Sequence, residues 1–206
     1  MKPINDTLSR FINTVEHSFN QIAESRKDVL RNLADFIKKD LDAKSSTQLN
    51  FICSHNSRRS HLAQVWAQIA AHRYGLPQVQ SYSGGTEATA IYTSTIAALK
   101  SAGLEFTDIK EGQNPIFAAR YALDAKPILL FSKRYDHMFN PQRDFGAILT
   151  CGEADSDCPY IPNASFRIPV TYVDPKADDG TEREMKSYEE TCAKIAGEMF
   201  FVLSEV

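Results

Sequence analysis

The stretch Ile52-Cys53-Ser54-His55-Asn56-Ser57-Arg58-Arg59-Ser60 constrains this chain more than any other. It follows Gln48-Leu49-Asn50-Phe51, which reads as the end of a buried strand. It precedes Leu62, Val65, Trp66 and Ile69, an apolar stripe at helical spacing. A strand is predicted to end at Cys53, with a short turn and then a helix starting near Ser60. A loop so placed aims backbone N–H groups at the positive end of the following helix, which makes an anion site.

The residue types in that loop suit displacement chemistry at an oxyanion. The positive field of the loop favours a thiolate over a thiol at Cys53. The planar guanidinium of Arg59 matches two oxygens of a tetrahedral anion. Taken alone, the Cys-to-Arg spacing fits equally a structural cysteine beside a surface arginine. The strand–loop–helix setting, with Asn56 and Ser60 between and beside them, favours the anion site.

Upstream, Leu8, Phe11, Ile12, Val15, Phe19 and Ile22 form one helical stripe, and Val29, Leu30, Leu33, Phe36, Ile37 and Leu41 a second. Asn5 or Asp6 is a candidate cap for the first helix and Ser25 for the second. The pair is expected to be a helical hairpin extension over residues 1–46, packing on the main domain or on a second copy of the chain. Residues 47–206 are expected to form the main domain. Gly75-Leu76-Pro77 closes the helix after the loop. A strand over Val79–Ser83, a Gly84-Gly85-Thr86 turn and a helix over Thr93–Ser101 follow. Strand–helix alternation predicts an α/β fold, a three-layer α/β/α domain with a mainly parallel central sheet. The stretches Pro115–Tyr121 and Pro127–Ser132 read as further strands, a hairpin-like insertion or sheet extension within about residues 105–145. The loop carrying Tyr135, His137, Met138, Phe139 and Pro141 suits either a pocket wall or cover for a sheet edge. Phe145–Leu149 is a buried strand that brings Cys151 to the carboxyl edge of the sheet, where ligands of such folds bind. The last helix is predicted to open with a capping box from Thr181 to Glu184 and to bury Cys192 in the core.

The remaining composition excludes several classes. A net charge of −3 leaves no basic footprint for nucleic acid. No apolar run reaches the roughly 18 residues needed to cross a membrane. The start, Met1-Lys2-Pro3-Ile4-Asn5-Asp6, lacks the apolar core of a secretory signal, so a cytoplasmic location with reduced thiols is expected. The four cysteines, at 53, 151, 158 and 192, are too few for a disulfide scaffold, and the 151–158 spacing fits no common zinc pattern. No metal site is expected.

Cys-x5-Arg-Ser after the first core strand, with Asn56 three residues past Cys53, resembles the low-molecular-weight protein tyrosine phosphatases. It resembles still more their relatives, the thioredoxin-coupled arsenate reductases. The likeness runs from about Leu49 to the C-terminus and thins over residues 105–145. It implies that Cys53 is the nucleophile, that the Ser54–Ser60 loop with Arg59 binds the oxyanion, and that Asp174, before Pro175, is the acid for the leaving oxygen. Read alone, Asp174 fits a turn aspartate equally well. Cys151-Gly-Glu-Ala-Asp-Ser-Asp-Cys158-Pro resembles the cysteine pair of the reductases. That implies a relay in which Cys151 attacks Cys53, Cys158 attacks Cys151, and thioredoxin restores the dithiol. Three positions depart from the pattern. His55 stands in place of a glycine and Arg58 in place of another cysteine, adding bulk and charge suited to a small, highly charged oxyanion or a phosphorylated partner. Gln64 stands where some reductases carry a glutamate that helps hold potassium near Asn56, which argues against that ion here. The expectation is arsenate reduction. The rivals are hydrolysis of phosphotyrosine or small phosphate esters through a phosphocysteine, and a non-catalytic oxyanion-binding or interaction module with self-association through the N-terminal helices.

Overall fold

The computed structural model describes residues 1–152 and 160–206. Five helices are considered: α1 (Asp6–Glu16), α2 (Glu24–Lys44), α3 (Arg59–Arg73), α4 (Thr93–Ser101) and α5 (Glu184–Ser204). The strands are β1 (Thr47–Cys53), β2 (Val79–Gly85), β3 (Glu105–Lys110), β4 (Ile116–Arg120), β5 (Ile128–Leu130), β6 (Phe145–Leu149) and β7 (Ala164–Pro169). A four-stranded parallel sheet in the order β2-β1-β6-β7 is flanked by helices, as the strand–helix alternation predicts.

Pleating sends successive residues of β1 to opposite faces. Leu49 and Phe51 join Ile148 and Ile168 in the main core, against Leu33 and Ile37 of α2, Leu62 and Trp66 of α3, and Tyr188 and Phe200 of α5. Ile52 joins Ala147, Leu149, Cys151 and Ile161 in a smaller cluster on the other face. Apolar burial of this extent is the main favourable term holding the sheet to its helices.

The stripes of α1 and α2 are used inside the chain. Leu8, Ile12, Val15, Leu30, Leu33 and Ile37 are all buried in the main core. The landing point of α1 is Gly103, at φ 104°, where an added Cβ would lie 2.4 Å from the Leu8 nitrogen. Asn5 caps α1 through the Leu8 N–H and donates its amide to the Gly103 carbonyl. A glycine that ends α4 therefore also lets α1 close on it.

Two expected caps differ. α2 starts at Glu24 with Ala23 at the cap, so Ser25 lies inside the first turn. α5 has no side-chain cap at Arg183. Thr181 turns its hydroxyl to the Asp178 carbonyl, and Glu184 reaches past it to accept from the Gly180 N–H. The segment 170–183 is busy with other partners, described below, and these override the local capping pattern.

The insertion is a separate antiparallel sheet, β3-β4-β5, whose inner residues Ala119, Ile128 and Leu130 are buried in the main core. Residues 131–141 then run back along β2. Arg134 pairs with Gly85, the Gly85 N–H donates to the Lys133 carbonyl and the Tyr135 N–H to the Gly85 carbonyl. That loop covers the open edge of β2 and also reaches the anion loop.

Candidate active site

β1 delivers Cys53 to the carboxyl edge of the sheet, and α3 begins six residues later with its positive end facing the same hollow. The loop between them is oriented by its carbonyls. The Cys53 carbonyl accepts from the Thr86 N–H and the Ser54 carbonyl from the Glu87 N–H and the Thr86 hydroxyl. The His55 carbonyl accepts from the hydroxyls of Thr89 and Ser132. The Asn56 carbonyl is bonded by His61 Nε2, and the Ser57 carbonyl by the Tyr92 N–H and the Thr95 hydroxyl. The peptides of this loop are trans, so the N–H that follows each carbonyl points the opposite way. With its carbonyls so engaged, the loop wraps a small hollow lined by Cys53, Ser54, His55, Ser57, Arg58, Arg59 and Asp174 at the start of α3, a setting suited to an anion.

Asn56 makes this turn possible. It is fully buried at φ 46°, a left-handed conformation that asparagine tolerates better than most residues. Its Oδ1 accepts from the Lys133 N–H at 2.9 Å and its Nδ2 donates to Ser60 Oγ at 2.9 Å. Ser60 Oγ also lies 3.1 Å from Cys53 Sγ. Through Ser60, Asn56 thus ties the sulfur of Cys53 to the Lys133 backbone.

Beneath the loop, His61 Nε2 donates to the Asn56 carbonyl and Nδ1 accepts from Ser83 Oγ, at 2.9 and 3.2 Å. Burial, with Lys133 nearby, pushes the His61 pKa down to about 3, so the ring is neutral and serves as a strut. Lys133 is itself buried, its ammonium lying over the Phe131 and Phe139 rings at 4.6 and 5.6 Å. Burial lowers its pKa to about 7.

Arg59 is nearly buried, with Nη1 donating to the Tyr172 carbonyl at 2.9 Å and Nη2 to Asp174 Oδ2. The other Asp174 oxygen caps a short 3₁₀ turn, Pro175–Asp178, through the Lys176 N–H. The expected acid and the expected clamp are therefore in direct contact. Arg58, expected to add bulk and charge at the loop, lines the hollow but is held from outside it. Its guanidinium turns aside to bond Asp179 and the Tyr188 hydroxyl and stacks over Tyr92 at 4.3 Å. His55 alone of the two is half exposed at the rim, 3.9 Å from Glu87.

Cys151 is buried just past β6, with its sulfur 3.6 Å from Ser54 Oγ. It stands at the same sheet edge as Cys53 because β1 and β6 are parallel neighbours. Cys158 lies outside the described residues. Cys192 is a core thiol that accepts from the Trp66 indole N–H at 3.2 Å, and burial pushes its pKa up to about 12. Gln64 is buried and donates to the Ser81 carbonyl at 3.4 Å. Sequence reasoning missed Lys133, His61, Asp179 and Tyr188. The signals available for them were weak, a lone basic residue inside apolar strand text and partners more than a hundred positions apart.

No protein-family model matches the chain. Among curated proteins it is 26% identical over 140 residues to the arsenate reductase of Bacillus licheniformis, covering 68% of this chain and 82% of that one. A solved low-molecular-weight phosphotyrosine phosphatase from Vibrio cholerae superposes with a TM-score of 0.53 at 13% identity, covering 77% of this chain and 95% of that chain. An arsenate reductase in its phosphate-binding state gives 0.51 at 14% identity, covering 78% and 98%. No helix among the described residues is long and apolar enough to cross a membrane. In sequence the chain is thus similar to arsenate reductases, and its fold is that of solved arsenate reductases and low-molecular-weight protein tyrosine phosphatases.

Proposed function

We propose that this protein is an enzyme that reduces arsenate to arsenite through Cys53, with Cys151 and Cys158 as a relay restored by thioredoxin. The observation that carries the reading is the placing of a second buried thiol, Cys151, beside the oxyanion loop, one Ser54 side chain from its backbone. In the proposed sequence, Cys53 sulfur attacks arsenate bound on the loop N–H groups and Arg59. Asp174 gives its proton to the departing oxygen, leaving a sulfur–arsenic(V) bond. Cys151 sulfur then attacks Cys53 sulfur. The sulfur–arsenic electron pair passes to arsenic, which leaves as arsenite, and the two thiols become a disulfide. Attack by Cys158 on Cys151 frees Cys53 and moves the disulfide outward, where an external dithiol takes up the oxidising equivalents.

Cysteine-dependent phosphate ester hydrolysis is the second reading. Cys53, Arg59 and Asp174 suffice for it, because water resolves a phosphocysteine without further thiols. One comparison separates the two: multiple-turnover arsenite production with thioredoxin beside aryl phosphate hydrolysis, for wild type and Cys158→Ser. The reductase reading predicts that the variant stops after one arsenite per chain while any phosphatase rate stays near wild type. Equal arsenate turnover by both proteins would sink the relay.

A further inference from the structure

The clamp of the oxyanion loop is already holding an oxyanion. Arg59 directs one arm of its fork at the Asp174 carboxylate, and Asp174 forms part of the wall of the hollow that Cys53, Ser54 and Arg59 line. The other arm, Nη1, donates to the Tyr172 carbonyl, so a tetrahedral anion that takes the Nη2 end of the Arg59 fork competes with that carboxylate. The segment that bears Asp174 is also fixed at its far end by the adjacent arginine. Arg58 bonds Asp179, and the Tyr188 hydroxyl donates to the other Asp179 oxygen at 2.7 Å. Neighbouring arginines thus grip one strap at two points, and an incoming anion competes for only one of them.

Building on the anion-site reading above, we infer that Asp174 is a specificity-determining residue: its carboxylate is a resident ligand of Arg59, and the site admits only anions that displace it. The competitor is intramolecular, so it acts at an effective concentration that a dissolved carboxylate cannot match with the same chemistry. A tetrahedral dianion has an advantage the resident lacks, since its remaining oxygens reach the N–H groups of the loop. The accepted class is then tetrahedral dianions and their monoesters, and planar monoanions are refused. The Asp179 anchor keeps the displaced Asp174 over the site, where, after taking a proton from the entering anion or from solvent, it is at hand to protonate a leaving oxygen.

The test is calorimetric titration with inorganic phosphate and, separately, acetate, for wild type, Asp174→Asn and Asp178→Asn. Asp178 lies on the same strap and pairs with Arg183 at 3.8 Å, so its variant removes an equal charge without vacating the clamp. Phosphate should bind Asp174→Asn about 10-fold more tightly than wild type, the scale of one charge-assisted hydrogen bond, and acetate binding should become measurable. Asp178→Asn should change phosphate affinity less than about twofold, as expected for a charge off the clamp. Asp174→Ser keeps an acceptor for the Lys176 N–H and replaces the Asn variant if that one is unstable. Equal phosphate affinity in wild type and the Asp174 variants overturns the inference while leaving the anion site standing. So does an equal gain in Asp178→Asn, which would mean diffuse charge rather than displacement. Failure of all the proteins to bind phosphate overturns the anion site itself.

Discussion

Lys133 and His61 sit side by side beneath the oxyanion loop, and each is held toward its neutral form by burial. Lys133 has a folded pKa of about 7 against the usual value near 10.5. Between those values the unfolded chain binds one more proton than the folded one, so stability rises with pH across that window and is lowest below it. Lys133→Met removes this dependence while keeping an apolar stem over Phe131 and Phe139. The variant should gain roughly 1–3 kcal/mol over wild type at pH 6, with the gain shrinking toward zero by pH 10. Urea unfolding of both proteins at pH 6, 8 and 10 measures it, and a gain independent of pH would rule out a buried, near-neutral amine. Little of this was legible beforehand. Cys53, Asn56, Arg59 and Ser60 were marked by local context and Asp174 by the family resemblance, whereas Lys133 reads as an ordinary residue at a strand end until Phe131 and Phe139 close over it. The partners that hold Arg58, Asp179 and Tyr188, were not legible because they are 121 and 130 positions away.

Among elements, the end of β2 does the most to shape the loop. Gly85 packs so closely that a Cβ there would lie 2.3 Å from the Glu87 carbonyl oxygen and 2.7 Å from both the Asn56 nitrogen and the Ser54 oxygen. All three are backbone atoms, which cannot swing aside. Gly85→Ala should cost about 1–3 kcal/mol in unfolding free energy and should weaken phosphate binding as well, since it displaces the peptides that aim the N–H groups. A variant of wild-type stability and wild-type phosphate affinity would contradict the packing described. The strands and helices from Thr47 to Ser101 were readable because each alternates or repeats its apolar residues at its own period. β3 was not, because Glu105–Lys110 is largely exposed and its strand character comes from pairing with β4 rather than from its own pattern. The capping box at Thr181 failed for the opposite reason. The local signal was sound, but Glu184 is shared with Ser94 and Gly180.

At the scale of the molecule, the parallel order β2-β1-β6-β7 is what gives the site two thiols. Neighbouring β1 and β6 end at the same edge, where the Thr150 N–H donates to the Ile52 carbonyl at 2.7 Å and places Cys151 in the same small core as Cys53. That juxtaposition could be inferred from sequence once both stretches were read as core strands of one parallel sheet. Residues 153–159, including Cys158, lie outside the described residues. The central claim, that Cys151 resolves an arsenic adduct on Cys53, is tested most directly by trapping its product. Reduced Cys158→Ser protein is mixed with one equivalent of arsenate without thioredoxin, alkylated, digested and mapped by mass spectrometry, with arsenite counted in the same sample. The account predicts one arsenite per chain and a Cys53–Cys151 disulfide, with Cys192 recovered as free thiol. Arsenate left unreduced, with Cys53 and Cys151 both alkylated, would contradict it.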